Sequence, residues 1–531
     1  MSRGTDAITD ECGDRSGESV VNDSENIDFD GAKQQIRGSA LLFAGRPIAL
    51  VLNLLAQVLT VRYLSKLDFG AFIFAFSIME TSIVVAGFGM DKAIARFASI
   101  YDSQRQQQRL AGVIGAALIA VTGIGLAVVV LAYGLAPLVS RTGTVSPLAT
   151  SLLLTLILLA PIKALDNVHE SLASVFAGVR LVFLRRVFLV PALRLIAVVA
   201  VIMTSGDVYA LAVSHVVAGV VGALLYGILL WRLLLQRNIL RGLSQGAVVE
   251  FGSQFVRYSA ILFSSDLVLL IRGLAIVVLL EVLHSTTSVA EYRAVLPLAR
   301  LNELVVVSFS VLFIPIASKV FSSQNAKELN ELYWQTACWI TVFTFPLFAL
   351  TYAVAGPLVV MLFGPEYADS GRVLALIAIA YYFNSALGFN SRMLKVVGKV
   401  WHILGVDLFA LAFSMGMYFW AIPRYGALGA AAAVSVSTVV HAIAKQAALL
   451  RWTDVKLCSW RYAKVYAAAT AATVVLTLWQ ALFTPSLVSG VALIAVCWLG
   501  IIVAGREALA VNQIFPELQR VRFLRRWIHT G

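Results

Sequence analysis

The chain has 531 residues, of which 60% are hydrophobic and only 13% charged, and its mean hydropathy is +0.86. Soluble globular proteins are about 45–50% apolar and about 25% charged, so this composition excludes a soluble enzyme, and it excludes disorder, collagen and coiled coil as main themes. A net charge of +12 would suggest nucleic acid in a soluble protein. Here most basic residues lie between apolar runs, where they read as topology signals facing cytoplasm and anionic lipid, and no nucleic-acid partner is expected.

Residues 1–38 carry nine acidic side chains against four basic ones and no apolar period, the pattern of a disordered acidic cytoplasmic tail. They lack the basic segment and short apolar run of a secretory signal. A crossing helix needs about 20 apolar residues. By that criterion fourteen runs are predicted, near 39–63, 71–90, 110–137, 148–177, 187–204, 208–231, 255–282, 289–318, 333–355, 370–394, 401–421, 427–449, 462–483 and 487–505. Charges interrupt the pattern at 164–177 and 255–272. With the amino terminus inside, the inner segments hold 27 Lys and Arg and the outer segments five: Arg62, Lys66, Arg141, Arg372 and Arg424. That asymmetry predicts both termini inside, which an even number of crossings satisfies. In residues 506–531, Phe515, Leu518 and Trp527 mix with arginines, which reads as a basic amphipathic helix on the inner surface.

The runs repeat weakly. Ile94-Ala95-Arg96-Phe97-Ala98-Ser99 closes run two as Ile316-Ala317-Ser318-Lys319-Val320-Phe321 closes run eight, and Gly178 after run four is matched by Gly398 after run ten. The predicted fold class is therefore an all-α polytopic membrane protein. It has a six-helix lobe with its cytoplasmic linker over 39–254, a second six-helix lobe over 255–450 and two additional crossings over 451–505. Six crossings per copy give both lobes one orientation, a parallel repeat with a binding cavity between the halves.

Arg62-Tyr63-Leu64-Ser65-Lys66-Leu67-Asp68-Phe69-Gly70 follows run one, Leu362-Phe363-Gly364-Pro365-Glu366-Tyr367 precedes run ten, and Ile422-Pro423-Arg424-Tyr425-Gly426-Ala427-Leu428-Gly429-Ala430-Ala431 joins runs eleven and twelve. In order and spacing these stretches resemble the polysaccharide transporters (the O-antigen-type Wzx flippases) of the multidrug/oligosaccharidyl-lipid/polysaccharide exporter superfamily. The resemblance implies a MATE-like two-lobed bundle in the bacterial inner membrane. It implies that the bundle flips a polyprenyl-pyrophosphate-linked oligosaccharide for surface polysaccharide such as lipopolysaccharide or exopolysaccharide. The implied partners are that lipid-linked oligosaccharide, membrane lipids, and a polysaccharide polymerase or other pathway proteins. Each motif also has a purely structural sense: Pro423 sets φ ahead of Gly426, and Gly429-Ala430-Ala431 lets helices approach closely.

Ionisable groups inside apolar runs are costly unless they face a wet cavity or a partner, so each is a functional candidate. Run one carries Arg46 and run two Glu80; run four carries Lys163, Asp166, His169 and Glu170; run five carries Arg194. Run seven carries Asp266, Arg272 and Glu281, run eight Arg293, Arg300 and Glu303, and runs ten to twelve Arg392, Asp407 and His441. A guanidinium binds pyrophosphate through paired donors without losing its proton. Arg46, Arg272 and Arg300 are the leading substrate contacts, with Lys163 and Arg392 behind them; Arg46 and Arg272, repeat mates, are expected to face the cavity. The opposing reading pairs Arg272 with Asp266, and Arg300 with Glu303 at i,i+3 on one helix face; Arg194 and Arg392 could snorkel to an interface. Lys163, Asp166, His169 and Glu170 fall on one helical stripe, either a proton or cation path or a salt-bridged seam to Arg194. Glu80 and Asp407 are further candidates for ion coupling, whereas His441 and Tyr381-Tyr382-Phe383 read first as packing residues.

Catalytic motifs are absent from the sequence: no Walker A loop, GxSxG elbow or HExxH occurs. Four scattered cysteines (Cys12, Cys338, Cys458, Cys497) suggest neither a disulfide framework nor a zinc site, and no cofactor is expected. Three alternatives remain beside a flippase. A multidrug exporter would need an acidic cavity, a polymerase would need a larger outer segment than 356–369, and a non-transporting membrane subunit has no distinguishing mark.

Overall fold

The computed structural model describes residues 45–509 apart from 178, 238, 240–244, 388, 454, 457–458 and 484–485. The expected acidic tail and most of the expected basic tail (510–531) lie outside the described residues. The described residues form helices and no strand. The first helix, α1, covers 45–63. It is followed by α2 (Lys66–Gly87), α3 (Met90–Ser103), α4 (Gln107–Thr142), α5 (Pro147–Leu156), α6 (Leu159–Phe176) and α7 (Val179–Phe183). A π-helical turn, Leu184–Leu189, leads into α8 (Val190–Met203), α9 (Val208–Gln236), α10 (Gln245–Leu283), α11 (Thr286–Ala299) and α12 (Leu301–Ser322). The remainder is α13 (Ala326–Ala353), α14 (Ala355–Phe363), α15 (Ser370–Ala386), α16 (Asn390–Val396), α17 (Val400–Trp452), α18 (Trp460–Leu482), α19 (Leu487–Ala504) and α20 (Arg506–Leu509).

The protein is an all-α polytopic membrane protein. Ten helical spans among the described residues are long and apolar enough to cross a membrane, and eleven if the bent pair α11–α12 is one crossing. The expected number of fourteen counts α1, α10 and the two arms of α17 as separate crossings in addition.

Polar residues at the run boundaries start the helices. Ser65 Oγ accepts from the Asp68 amide at 3.1 Å, and Asp68 sits in the positive first turn of α2. Ser146, Asp207 and Ser285 cap α5, α9 and α11 in the same way. The turn expected between runs eleven and twelve is a single-residue kink instead. Gly426 adopts φ 53° and ψ −126° inside α17, a left-handed conformation that a Cβ would strain. It divides α17 into a first arm ending at Tyr425 and a second arm starting at Ala427. Gly70 has a different role: a Cβ there would lie 2.2 Å from the Thr286 carbonyl oxygen, so its hydrogen lets α2 and α11 touch.

Three apolar cores hold the bundle. One is shared by both halves and joins Phe69, Phe72 and Met79 of α2 to Leu280, Val295, Val359, Leu374 and Tyr418. The other two are separate: Ile94, Ile114, Leu172, Tyr226 and Phe255 form one, and Phe313, Tyr333, Phe345, Phe389 and Leu476 the other. The shared core ties the two halves together. Helix α10 straddles them. Its first turns pack Phe255 into the amino-half core while Val277 and Leu280 enter the shared core, so the expected boundary at 254/255 falls inside one unbroken helix.

Candidate functional site

Between the halves lies a cavity with two compartments of about 500 Å³ and about 530 Å³ that meet at Glu80, Arg293, Leu296 and Arg300. The larger is walled by α1, α2, α8, α11 and α12 and contains Arg46, Arg194, Arg293 and Arg300 against Glu80 and Glu303. The smaller is walled by α2, α3, α6, α10 and α11. It contains Lys92, Arg293 and Arg300 against Glu80, Asp91 and Asp266, together with Ser77, Thr81, Asn167 and Tyr292. One compartment is therefore cationic and the other charge-balanced and rich in hydroxyl and amide groups.

The cationic compartment has unused donors. Arg46 Nη1 is buried without a hydrogen-bond partner among the described residues. The Arg194 guanidinium lies 5.2 Å from the centre of the Phe76 ring, and no described acid pairs with it. Arg300 is the C-cap of α11, at the bend into α12, and its Nε donates to the Tyr381 hydroxyl at 3.0 Å. The Arg300–Glu303 pair of the opposing reading does not form, because Arg300 ends one helix and Glu303 begins the next. Arg293 reaches Glu80 at 3.4 Å.

Nor does the Arg272–Asp266 pair of that reading form. Asp266 binds Lys92 of α3 at 2.5 Å, across the halves. Arg272, expected in the cavity, turns away from it. Its guanidinium donates to Thr438 Oγ1 at 3.0 Å and meets His441 Nδ1 at 3.2 Å. Asp407 accepts from His441 Nε2 at 2.7 Å and from Lys445 at 3.0 Å. Two residues of the α6 stripe, Asp166 and Glu170, are ion-paired, and their partners are Arg185 and Arg186 rather than Arg194. Arg185 lies 2.5 Å from Asp166 and also contacts Glu170, which binds Arg186 as well. His169 Nδ1 is buried without a described partner, and Lys163 packs against Gly219 of α9. Arg392 lies over the Phe389 ring at 5.2 Å on α16, outside the lining of either compartment.

The structure thus brings Arg46, Arg300 and Glu80 together and leaves Arg272, Lys163, Arg392 and Asp407 elsewhere. It adds Arg194, Arg293 and Lys92 to the cavity. Arg194 and Arg293 carried the same sequence signal as Arg46, a charge inside an apolar run. Arg185 carried none: it stands in a basic cluster typical of an inner loop, and only the π-turn directs it inward.

The far end is closed by polar ties between the halves. Arg62 donates to the Leu362 carbonyl at 2.7 Å and to that of Met361, Lys66 pairs with Glu291 at 2.6 Å, and Gln57 donates to the Ala294 carbonyl at 2.9 Å.

The described helices thus form a membrane-spanning bundle with a charged cavity between its halves. The chain belongs to the polysaccharide biosynthesis protein family, whose pattern matches residues 36–321. None of the curated proteins matches it. Its fold is similar to that of the lipid II flippase MurJ in an inward closed conformation, with TM-score 0.70 at 15% identity over 90% of this chain and 99% of that one. It is also similar to an inward-facing multidrug resistance MATE family transporter of the MOP superfamily, with TM-score 0.63 at 16% identity over 76% and 96%. The Vibrio cholerae MATE transporter VcmN gives TM-score 0.53 at 16% identity over 79% and 97%.

Proposed function

We propose that the protein flips a polyprenyl-diphosphate-linked oligosaccharide across the bacterial inner membrane by alternating access, with both termini and all fourteen crossings as read from the sequence. The observation that carries this is the cationic compartment: four arginines face two glutamates there, and Arg46 Nη1 has nothing described to bind. A diphosphate supplies the missing acceptors, and the planar fork of Arg46, Arg194 or Arg300 grips it through paired donors. The sugars occupy the charge-balanced compartment, where Ser77, Thr81 and Asn167 offer hydrogen bonds, and the prenyl tail stays in lipid. An inside-negative potential of about 100 mV favours outward movement of each negative charge by about 2.3 kcal/mol. A multidrug exporter of cations would need the opposite balance of charge.

Proteoliposomes loaded with a fluorescent polyprenyl-diphosphate sugar test this reading. Arg46→Ala and Arg300→Ala should each stop flipping at normal protein levels, and the lysine variants should retain part of it, because lysine keeps the charge and loses the fork. Normal flipping by both alanine variants would overturn the proposal. Orientation has its own test. Cysteines placed at Thr144 and Ala368 should react with an impermeant reagent added outside intact cells, and one at Gln107 should not; the reverse pattern inverts the topology.

A further inference from the structure

The stretch Tyr381-Tyr382-Phe383 on α15 reads from the sequence as packing, and the structure divides its two tyrosines. The Tyr382 ring stacks on Phe348 of α13 with centres 4.3 Å apart and planes at 12°, and its hydroxyl donates to the Thr341 carbonyl at 3.4 Å. That contact fixes the rotation of α15 about its own axis. Successive helix residues stand about 100° apart, so Tyr381 leaves the carboxyl-half core and lies against the core shared by both halves. There its hydroxyl accepts from Arg300 Nε at 3.0 Å. Arg300 is exposed, and it stands where the two compartments of the cavity meet.

We propose that Tyr381 is a positioning residue, whose hydroxyl holds Arg300 away from Glu303 and presents the Nη1/Nη2 edge of the guanidinium to an anionic ligand. A guanidinium has five donors in a fixed fork, and two edges that can grip an oxyanion through paired bonds, Nε with Nη2 and Nη1 with Nη2. Tyr381 takes Nε and so closes the first edge. The second donates to nothing among the described residues. The chemistry of the tether matters as well. A carboxylate at this place would neutralise the arginine, whereas a neutral hydroxyl oxygen orients it and leaves its charge to the cavity. The competing acid is Glu303, in the first turn of α12 and in the lining of the same compartment; Glu80 already has Arg293 at 3.4 Å. Once the tether is cut, rotation about the Arg300 side chain brings the guanidinium to Glu303, and one of the four arginines of the cationic compartment is cancelled. The use of this arrangement by a diphosphate rests on the flippase reading; the placement of Arg300 does not.

Tyr381→Phe removes the hydroxyl and keeps the ring, and two readouts separate positioning from packing. The first needs no substrate. Phenylglyoxal adds across the two Nη nitrogens of an arginine, and peptide mass spectrometry of the purified protein gives its rate at Arg300. In Tyr381→Phe that rate should fall severalfold as Glu303 covers the fork, and adding Glu303→Gln should restore it. The second is flipping of a fluorescent polyprenyl-diphosphate sugar in proteoliposomes. Tyr381→Phe should raise the fraction of sugar lipid needed for half-maximal rate by about tenfold or more, the worth of a hydrogen bond to a charged group, with protein level and maximal rate nearly kept. Glu303→Gln should lower that fraction more in the Tyr381→Phe background than in the wild type, the mark of two residues that compete for one partner. An unchanged phenylglyoxal rate in Tyr381→Phe, a rate that Glu303→Gln does not restore, or a fall in maximal rate and protein level with the half-maximal fraction unmoved would overturn the proposal. Phenylglyoxal rates that change as stated, in a wild-type protein that flips no diphosphate lipid, would leave the placement of Arg300 standing and remove the flippase reading alone.

Discussion

Asp166 and Glu170 are held by Arg185 and Arg186 in the amino half, whereas Arg46 and Arg194, in the cavity with Glu80 and Glu303, form no ion pair with a described residue. Both regions place charged side chains in apolar helices, and both carry the same cost of leaving water. In the seam that cost is offset inside the protein. The π-turn sets two consecutive arginines on one carboxylate, and Arg185 also lies 4.7 Å from the centre of the Tyr226 ring. In the cavity Glu80, the Tyr381 hydroxyl and the Phe76 ring offset part of it, and the rest, above all at Arg46, is left to water or a ligand. A closed, balanced cluster of charge ties helices together; an open one with an excess of arginine leaves donors free to meet a ligand.

This contrast predicts opposite phenotypes. The largest effect is expected in the seam. Arg185→Ala leaves two carboxylates without their buried cation, and breaking a buried pair from one side costs about 3–5 kcal/mol. Melting in detergent and the amount of protein in the membrane should both fall. Adding Asp166→Leu and Glu170→Met should recover much of the loss, since replacing a whole buried ionic cluster by apolar residues is often neutral or favourable.

A smaller effect of a different kind is expected at Arg194. Arg194→Ala should leave melting nearly unchanged and reduce flipping by about 10–100-fold, the worth of a hydrogen bond to a charged group, about 1.5–3 kcal/mol. Loss of folding without a specific transport defect would make Arg194 a second structural arginine and erase the distinction. The smallest effect is expected at the closed end. The Lys66–Glu291 pair is partly exposed, with both side chains 23% accessible, and Lys66→Ala should cost about 1 kcal/mol or less. It should be seen mainly as faster labelling of a cavity cysteine from outside. Gly70→Val should have a stronger effect on the same readout, since its side chain would meet the Thr286 backbone.

Much of the cavity was legible because a charge in the middle of an apolar run stands out in any window of sequence. Arg46, Arg300 and Glu80 were found in this way, and Arg194 and Arg293 carried the same mark. The pairings were not legible. Arg300 and Glu303 stand three apart, the spacing of an intrahelical pair, and a helix break between them cancels it. Asp266 and Arg272 share a helix, and each finds its partner on a different one: Lys92 across the halves, and His441 on α17.

The sequence by itself determined that this protein spans a membrane with many helices. Hydropathy acts locally over about 20 residues, and the unequal distribution of lysine and arginine acts loop by loop. It also determined where helices start and where α17 breaks, because Ser65, Asp68, Pro423 and Gly426 act on backbone a few residues away. Only the tertiary structure decided which charges are free. Whether an arginine in an apolar helix is a strut or a ligand-binding group depends on what stands within about 4 Å of it. Arg272 finds its neighbours on α17, Arg185 finds them on α6 because it stands in a turn whose extra width no residue pattern announces, and Arg46 Nη1 finds none among the described residues.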